Sequence, residues 1–465
     1  MRSVRGTSCA VLVTRVTASP TLGGMPRASA ALLALLLTAS ALVASTGPVL
    51  ADPEPAGDQP LPGYTISNPA VAPIVVGGEE TTVRQGVHEH AAYILEVPAD
   101  WNGELVMWAH GYRGLSYTLT PETPAFGLRR TFLEQGYAWA ASSYSTNGYD
   151  VGAGVRSTRD LAAYASELLP RRASRTYVTG VSMGGHVIGR SLEQYPGFYD
   201  GAMPMCGQLG DVELFDFFVD YNLGAQALAG YDAYPYGADY QSADVPVIKE
   251  RLGLDGTLTP EGEQLRAMTI ERSGGPRPGA TAAFGQWKDF LFTLPSVDDG
   301  GTLAFNIARV ATNQDTVYTP SSPVDLNSEI ERIAPADPAG RYSHRLNAPS
   351  RISGRPSAPV VSLHNLGDMF VPFSLEQIYL REVKRHHRDG LVVQRAIRSA
   401  GHCEFSPAEA SVAWGDLVDW VEHGDRPAGD DVLDRAAVAA PDYGCAFTDP
   451  GAYGTGSRRL YARCP

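Results

Sequence analysis

A chain of 465 residues with a formal net charge of -14 is long for one ordinary domain, but open α/β enzymes reach this size when an insertion enlarges a single catalytic domain. The acidic balance argues against nucleic acid as a partner, because a phosphate-binding surface needs clustered Lys and Arg to displace counterions, and no basic run occurs in the body of the chain. Lysine stands only at 249, 288 and 384 against abundant arginine, a bias read as coding composition rather than recognition.

In chain order, the first feature is a run of basic residues, Arg2, Arg5, Arg15 and Arg27, followed by an apolar Ala- and Leu-rich stretch over 28–43 and then Val49-Leu50-Ala51. This is the layout of a secretory leader over 1–51, with Met25 as a second candidate start. The apolar run is shorter than the roughly 20 residues a spanning helix needs, so the expectation is export, cleavage, no stable membrane insertion afterwards and an extracellular product. Loss of the leader removes Cys9 and leaves Cys206, Cys403, Cys445 and Cys464. In an oxidising compartment these form two bridges, with three pairings possible.

Residues 52–70 are rich in Pro, Gly and Asp and read as an exposed, mobile lead-in. A first core segment then spans 71–206. Residues 88–97, 104–110 and 138–143 read as strands, the apolar runs suiting strands covered on both faces. Residues 124–135 read as a helix ended by Gly136, and 156–169 as another that stops at Pro170. A strand over 176–179, a helix over 183–194 and a strand over 200–205 complete an alternation that means a parallel sheet wound on both sides.

Between 207 and 355 the rhythm changes. Helical segments over 213–223, 260–272, 280–294 and 302–310 follow one another without an apolar strand, the pattern of a mainly helical cap. Its aromatic residues, Phe215, Phe217, Phe218, Tyr221, Phe284, Trp287, Phe290 and Phe292, read chiefly as packing between cap and sheet, with some left to wall a pocket. The alternation returns over 356–424, with strands at 359–363 and 392–397 and helices at 375–386 and 407–421. Residues 425–465 read as a polar tail with little to fold around except Cys445 and Cys464.

The chemistry-bearing residues lie at the joints of this pattern. Gly180-Val181-Ser182-Met183-Gly184 fits a nucleophile elbow, where the glycines allow a tight strand-to-helix turn. The pattern alone is weak in a Gly-rich chain; the preceding strand and following helix supply the required context. A serine hydroxyl needs a base, and His402, in Ser399-Ala400-Gly401-His402-Cys403 just after a strand, is the candidate. His364 is its main rival but, ending a strand, reads as packed or pocket-lining; His186, His386, His387 and His423 read as satisfied or surface histidines. Asp368, in Gly367-Asp368-Met369-Phe370-Val371-Pro372, lies between Ser182 and His402 in chain order and would orient the imidazole. For the oxyanion, the N–H groups of Met183 and of Tyr112, in the loop after the strand at 104–110, are the candidate donors, with His110 structural. Neither a His-Glu-x-x-His nor a Cys-x-x-Cys spacing is present, so no metal and no cofactor is expected.

Taken together, the His-Gly loop at 110, the elbow at 182, the Gly367-Asp368 turn with Val371-Pro372 behind it, and Gly401-His402 resemble the α/β-hydrolase superfamily over roughly residues 70–424. The elbow and acid loop look like those of secreted bacterial serine esterases and prolyl-oligopeptidase-like enzymes. The resemblance implies a mostly parallel, doubly wound sheet with the cap inserted before the acid-bearing strand. A histidine followed by cysteine is also similar to the tannase and feruloyl esterase group, where that cysteine bridges to one beside the nucleophile; here Val181 stands in that place. Cys206, at the end of the strand after the elbow helix, is the candidate partner of Cys403, which pairs Cys445 with Cys464. The function expected is hydrolysis of a small-molecule carboxylic ester through an acyl-enzyme. A secreted serine peptidase, or a non-catalytic binding module on the same fold, are the alternatives.

Overall fold

Eight strands form the central sheet of the computed structural model, which describes residues 57–295 and 300–464. They are β1 (Thr82–His88), β2 (Ala91–Val97), β3 (Leu105–Ala109), β4 (Ala138–Ser142), β5 (Thr176–Val181), β6 (Gly201–Met205), β7 (Val360–Asn365) and β8 (Val392–Ile397). Across the sheet they run β1-β2-β4-β3-β5-β6-β7-β8. The pairs β1–β2 and β2–β4 are antiparallel, and the remaining pairs are parallel. The secretory leader expected over 1–51 lies outside the described residues.

Helices cover both faces, as near-continuous apolar strands require. Successive side chains of a strand point to opposite faces, so in β3 Leu105, Met107 and Ala109 join one core, which also receives α2 (Val151–Leu168) and α3 (Met183–Gln194). Val106 and Trp108 join the other, under α1 (Leu128–Glu134) and the chain's last long helix, which supplies Trp414, Leu417 and Trp420. The wound layout leaves the carboxyl ends of β3, β5, β7 and β8 along one rim, where ligands bind in such sheets.

The hairpin at the start of the sheet differs from the sequence expectation of a strand over 88–97. His88 ends β1, and the turn is Glu89-His90, both at positive φ (45° and 66°). That turn is usually announced by Asn-Gly or Asp-Gly, and with neither present the sequence gives no sign of it. The lead-in expected to be mobile is tied down from residue 57 onward: Thr65–Ile66 pairs with Thr118–Leu119, and the Asn68 amide donates to Gly86 O and Tyr93 O.

Between β6 and β7 the chain builds α4 (Glu213–Ala229), α5 (Val245–Leu252), α6 (Pro260–Arg272) and α7 (Ala280–Leu291). The expected helix over 302–310 shrinks to a single 3-10 turn, Ile307–Val310. Helix α4 is buried nearly all round, and its two inward carboxylates are paired: Asp216 with Arg341 at 2.7 Å and Asp220 with Arg272 at 2.6 Å. The sheet domain resumes with α8 (Ser374–Arg385) and α9 (Pro407–His423), the latter opened by a Ser406/Glu409 capping box.

The C-terminal segment departs from the expectation of a tail with little to fold around. Val432, Val438, Tyr443, Tyr453 and Tyr461 are buried in the sheet domain's core. Arg458 forms a two-pronged, fully buried ion pair with Glu409 of α9 at 2.7 and 2.6 Å.

Candidate active site

Ser182 joins β5 to α3 at φ 55° and ψ -122°, a strained geometry for a residue with a side chain. The glycines around it are sterically compelled. A Cβ on Gly180 would stand 2.2 Å from Ala109 O, one on Gly184 2.1 Å from the same oxygen, and one on Gly185 2.3 Å from Gly207 Cα. β3, β5, α3 and the segment after β6 can therefore meet only where these side chains are absent.

Three residues distant in sequence converge on this turn. Ser182 Oγ lies 2.9 Å from His402 Nε2, and His402 Nδ1 lies 2.6 Å from Asp368 Oδ2. Asp368 is fully buried. Its other oxygen accepts the N–H groups of Phe370 (2.9 Å) and Val371 (3.0 Å), so the turn after β7 aims the carboxylate. His402 keeps 17% of its side chain exposed, and Ser182, its partner, lines the cavity above the elbow.

The two expected oxyanion donors, Tyr112 and Met183, both line that cavity with Ser182. Gly111 brings the loop close: a Cβ there would stand 3.2 Å from Ser182 Cβ. His110 is buried, stacked on Tyr144 at 3.9 Å, with Nδ1 2.7 Å from Gly111 O; burial lowers its pKa. Its ring makes no hydrogen bond to Ser182 or His402.

The rival histidines are otherwise engaged. His364 is buried, with Nε2 2.8 Å from Val371 O and Nδ1 3.3 Å from Glu376 Oε1. That second contact has ion-pair distance without hydrogen-bond geometry. Burial disfavours the His364 cation, but the Glu376 carboxylate, the Asp368 charge and Val371 O together raise its pKa. His186 is buried between Tyr149 Oη and Ser350 O, both at 3.0 Å, and burial pushes its pKa down to about 3.

The four cysteines pair as Cys206–Cys403 and Cys445–Cys464. The first bridge fastens the loop of His402 to the end of β6, beside the elbow, and Cys403 Sγ lies 3.4 Å from His402 Nε2. Among the described residues, Cys206, His402 and Cys403 form the one cluster with metal-ligand spacing. Because the two sulfurs are bonded to each other, neither can act as a thiolate ligand.

Above Ser182 lies a cavity of about 240 Å³. Leu214, Phe215 and Phe218 of α4 form one wall, and Phe370 and Val371 of the acid turn form another. Phe370 stands edge-on to His402 at 5.0 Å and faces Phe218 at 6.2 Å. None of the described lining residues is charged. Of the cap aromatics, Phe215 and Phe218 line the cavity, whereas Phe217, Tyr221, Phe284 and Phe292 are packed core. Trp287 and Phe290 pack on Phe370 from outside, at 6.4 and 5.0 Å. Sequence reasoning missed Phe370, although it stands two residues after Asp368; only the fold shows that its ring turns towards His402.

No family model matches this chain. It is 24% identical over 433 residues to an o-phthalyl amidase from Xanthobacter agilis, an alignment covering 76% of this chain and 93% of that protein. Solved structures that resemble it include feruloyl esterase B from Aspergillus oryzae, at 13% identity and a TM-score of 0.41 over 76% of this chain and 82% of that one. A tannin acyl hydrolase from Aspergillus niger aligns at 12% identity and a TM-score of 0.40, over 75% and 79%. The strand order, the antiparallel start, the elbow after β5 and the acid and histidine turns after β7 and β8 make this chain an α/β-hydrolase in fold.

Proposed function

We propose that the protein is a secreted serine hydrolase that cleaves carboxylic esters through an acyl-enzyme, with Ser182 as nucleophile, His402 as general base and acid, and Asp368 as the group that orients His402. The observation that carries the reading is the unbroken chain of contacts from Ser182 Oγ through His402 to Asp368, at 2.9 and 2.6 Å. In attack, His402 Nε2 takes the Ser182 proton as Oγ bonds to the carbonyl carbon. Asp368 holds Nδ1–H and stabilises the imidazolium that forms. Charge on the carbonyl oxygen is met by the N–H groups of Met183 and Tyr112. His402 then protonates the leaving group, and water repeats the sequence on the acyl-enzyme.

The cavity supports a compact, apolar and uncharged acyl group. Its volume of about 240 Å³ and phenylalanine-rich walls favour such a group, and a free carboxylate would be desolvated with no cation beside it among the described lining residues. The ester bond is preferred because no described carboxylate lines the cavity to take a peptide's amine. Amide cleavage is the second reading, favoured by the relative named as an o-phthalyl amidase. Two bridges fit an oxidising compartment, and no helix among the described residues is long and apolar enough to cross a membrane.

A fluorophosphonate probe should label the purified protein, and Ser182→Ala should abolish labelling; an unlabelled wild type would sink the serine-hydrolase reading. With the acyl group held constant, nitrophenyl esters should be turned over faster than the matching nitroanilides. Exclusive turnover of the anilides would replace the ester reading by the amide one.

A further inference from the structure

The peptide just before His402 is gripped from two sides by parts of the chain far from it in sequence. On one side, Ala400 O accepts from Trp287 Nε1 at 2.6 Å and from Gln286 Nε2 at 3.1 Å, both on α7 of the cap. On the other, the N–H groups of Ala400 and Gly401 both donate to Ser457 Oγ, each at 2.7 Å. The Ser457 hydroxyl donates in turn to Glu404, whose other oxygen accepts the Ser457 N–H at 3.0 Å. One hydroxyl thus spends both acceptor sites and its proton on the loop that carries His402.

Four residues on, Tyr461 does the same for the neighbouring turn. Its hydroxyl donates to Ser399 O at 3.1 Å and fills the space at Gly367, where a Cβ would stand 2.3 Å from it. Gly367 precedes Asp368, and its N–H donates to Ser399 O at 2.8 Å. The histidine loop and the acid turn therefore share one abutment. The segment is fixed by the buried Arg458–Glu409 pair, by Arg458 donating to Glu404 O at 2.9 Å and by the Cys445–Cys464 bridge.

We propose that the C-terminal segment is a positioning element for the reaction, in which Ser457 sets the place of His402 relative to Ser182 and Tyr461 couples that place to the Asp368 turn. This rests on the reading of Ser182, His402 and Asp368 as the reacting machinery. Neither Ser457 nor Tyr461 contacts Ser182 or His402, so both act through backbone. A loop freed on its N–H side would still be held at Cys403, but the imidazole would sample positions too far from Oγ for proton transfer. Misplacement of about 1 Å is enough to cost on the order of a hundredfold in rate.

The experiment is steady-state ester hydrolysis by Ser457→Ala, Ser457→Thr and Tyr461→Phe, each measured well below its own melting temperature, with the rate of fluorophosphonate labelling alongside. Ser457→Ala should lower kcat by on the order of tenfold to a hundredfold with KM nearly unchanged. Labelling should slow by a similar factor, since His402 serves both reactions. Ser457→Thr, which keeps the hydroxyl, should recover most of kcat. Tyr461→Phe, which loses one hydrogen bond and little volume, should lower kcat severalfold, and it carries the test if Ser457→Ala does not fold. A Ser457→Ala or Tyr461→Phe enzyme with wild-type kcat and only a lower melting temperature would overturn the proposal and leave the tail a mere staple. A wild type that the probe fails to label would instead overturn the serine-hydrolase reading beneath it.

Discussion

Substituting Gly184 by alanine tests the steric basis of the elbow. An alanine Cβ there would stand 2.1 Å from Ala109 O, 2.8 Å from Ala109 C and 3.0 Å from His110 O, all backbone atoms. Real Cβ atoms essentially never come within 3.0 Å of such atoms, so the end of β3 and the elbow must separate by about 0.9 Å, the difference between 3.0 and 2.1. Alanine's better helix propensity returns at most ~1 kcal/mol, against about 1–3 kcal/mol for overpacking a close contact. After that offset the variant should be destabilised by roughly 0–2 kcal/mol. Its larger effect is on rate, because the strand end that moves leads directly into Gly111 and Tyr112. With Tyr112 N–H as the proposed oxyanion donor, misplacing it costs about 10²–10³ in kcat, so kcat should fall about a hundredfold while KM changes little. The assay is ester hydrolysis together with urea unfolding. Gly415→Ala on α9 is the control, since nothing lies within 4 Å of an added Cβ there, and it should leave kcat unchanged. A folded Gly184→Ala enzyme with kcat within threefold of wild type would refute the argument.

Acid should weaken the fold through His186, whose pKa burial pushes from 6.5 down to about 3. The folded state binds that proton less readily than the unfolded one, so its contribution is complete above pH 6.5 and is lost as pH falls, at about 1.4 kcal/mol per pH unit. His186→Gln should flatten the decline of unfolding free energy between pH 6.5 and 4.5 by roughly 2–3 kcal/mol; an unchanged slope would show that His186 is not the group responsible. The two disulfides should differ in weight. Cys206–Cys403 closes a separation of 197 residues and Cys445–Cys464 one of 19, so chain entropy gives about 5 and about 3 kcal/mol. Paired serine substitutions compared by urea unfolding should preserve that order, and the reverse order would contradict it.

The three side chains proposed as the reacting groups stood out in the sequence because each belongs to a local pattern. Gly180 and Gly184 flank Ser182 in a turn that few backbones permit, Asp368 follows a strand in a Gly-Asp turn, and His402 follows the last strand. Chain order then suggests their convergence. The tertiary structure alone decided what surrounds them. Ser457 acts on Ala400 and Gly401 across 57 and 56 positions, and Trp287 acts on Ala400 across 113; no periodicity reports such pairings. The tail's sparse apolar residues read as little to fold around beyond Cys445 and Cys464, yet Tyr443, Tyr453 and Tyr461 join the core that the sheet builds. The cap aromatics make the same point: Phe217 and Phe218 are adjacent, one packed and one facing the cavity. Local sequence sets which backbone turns and periods are available, whereas the neighbour a side chain meets depends on segments that only folding brings together.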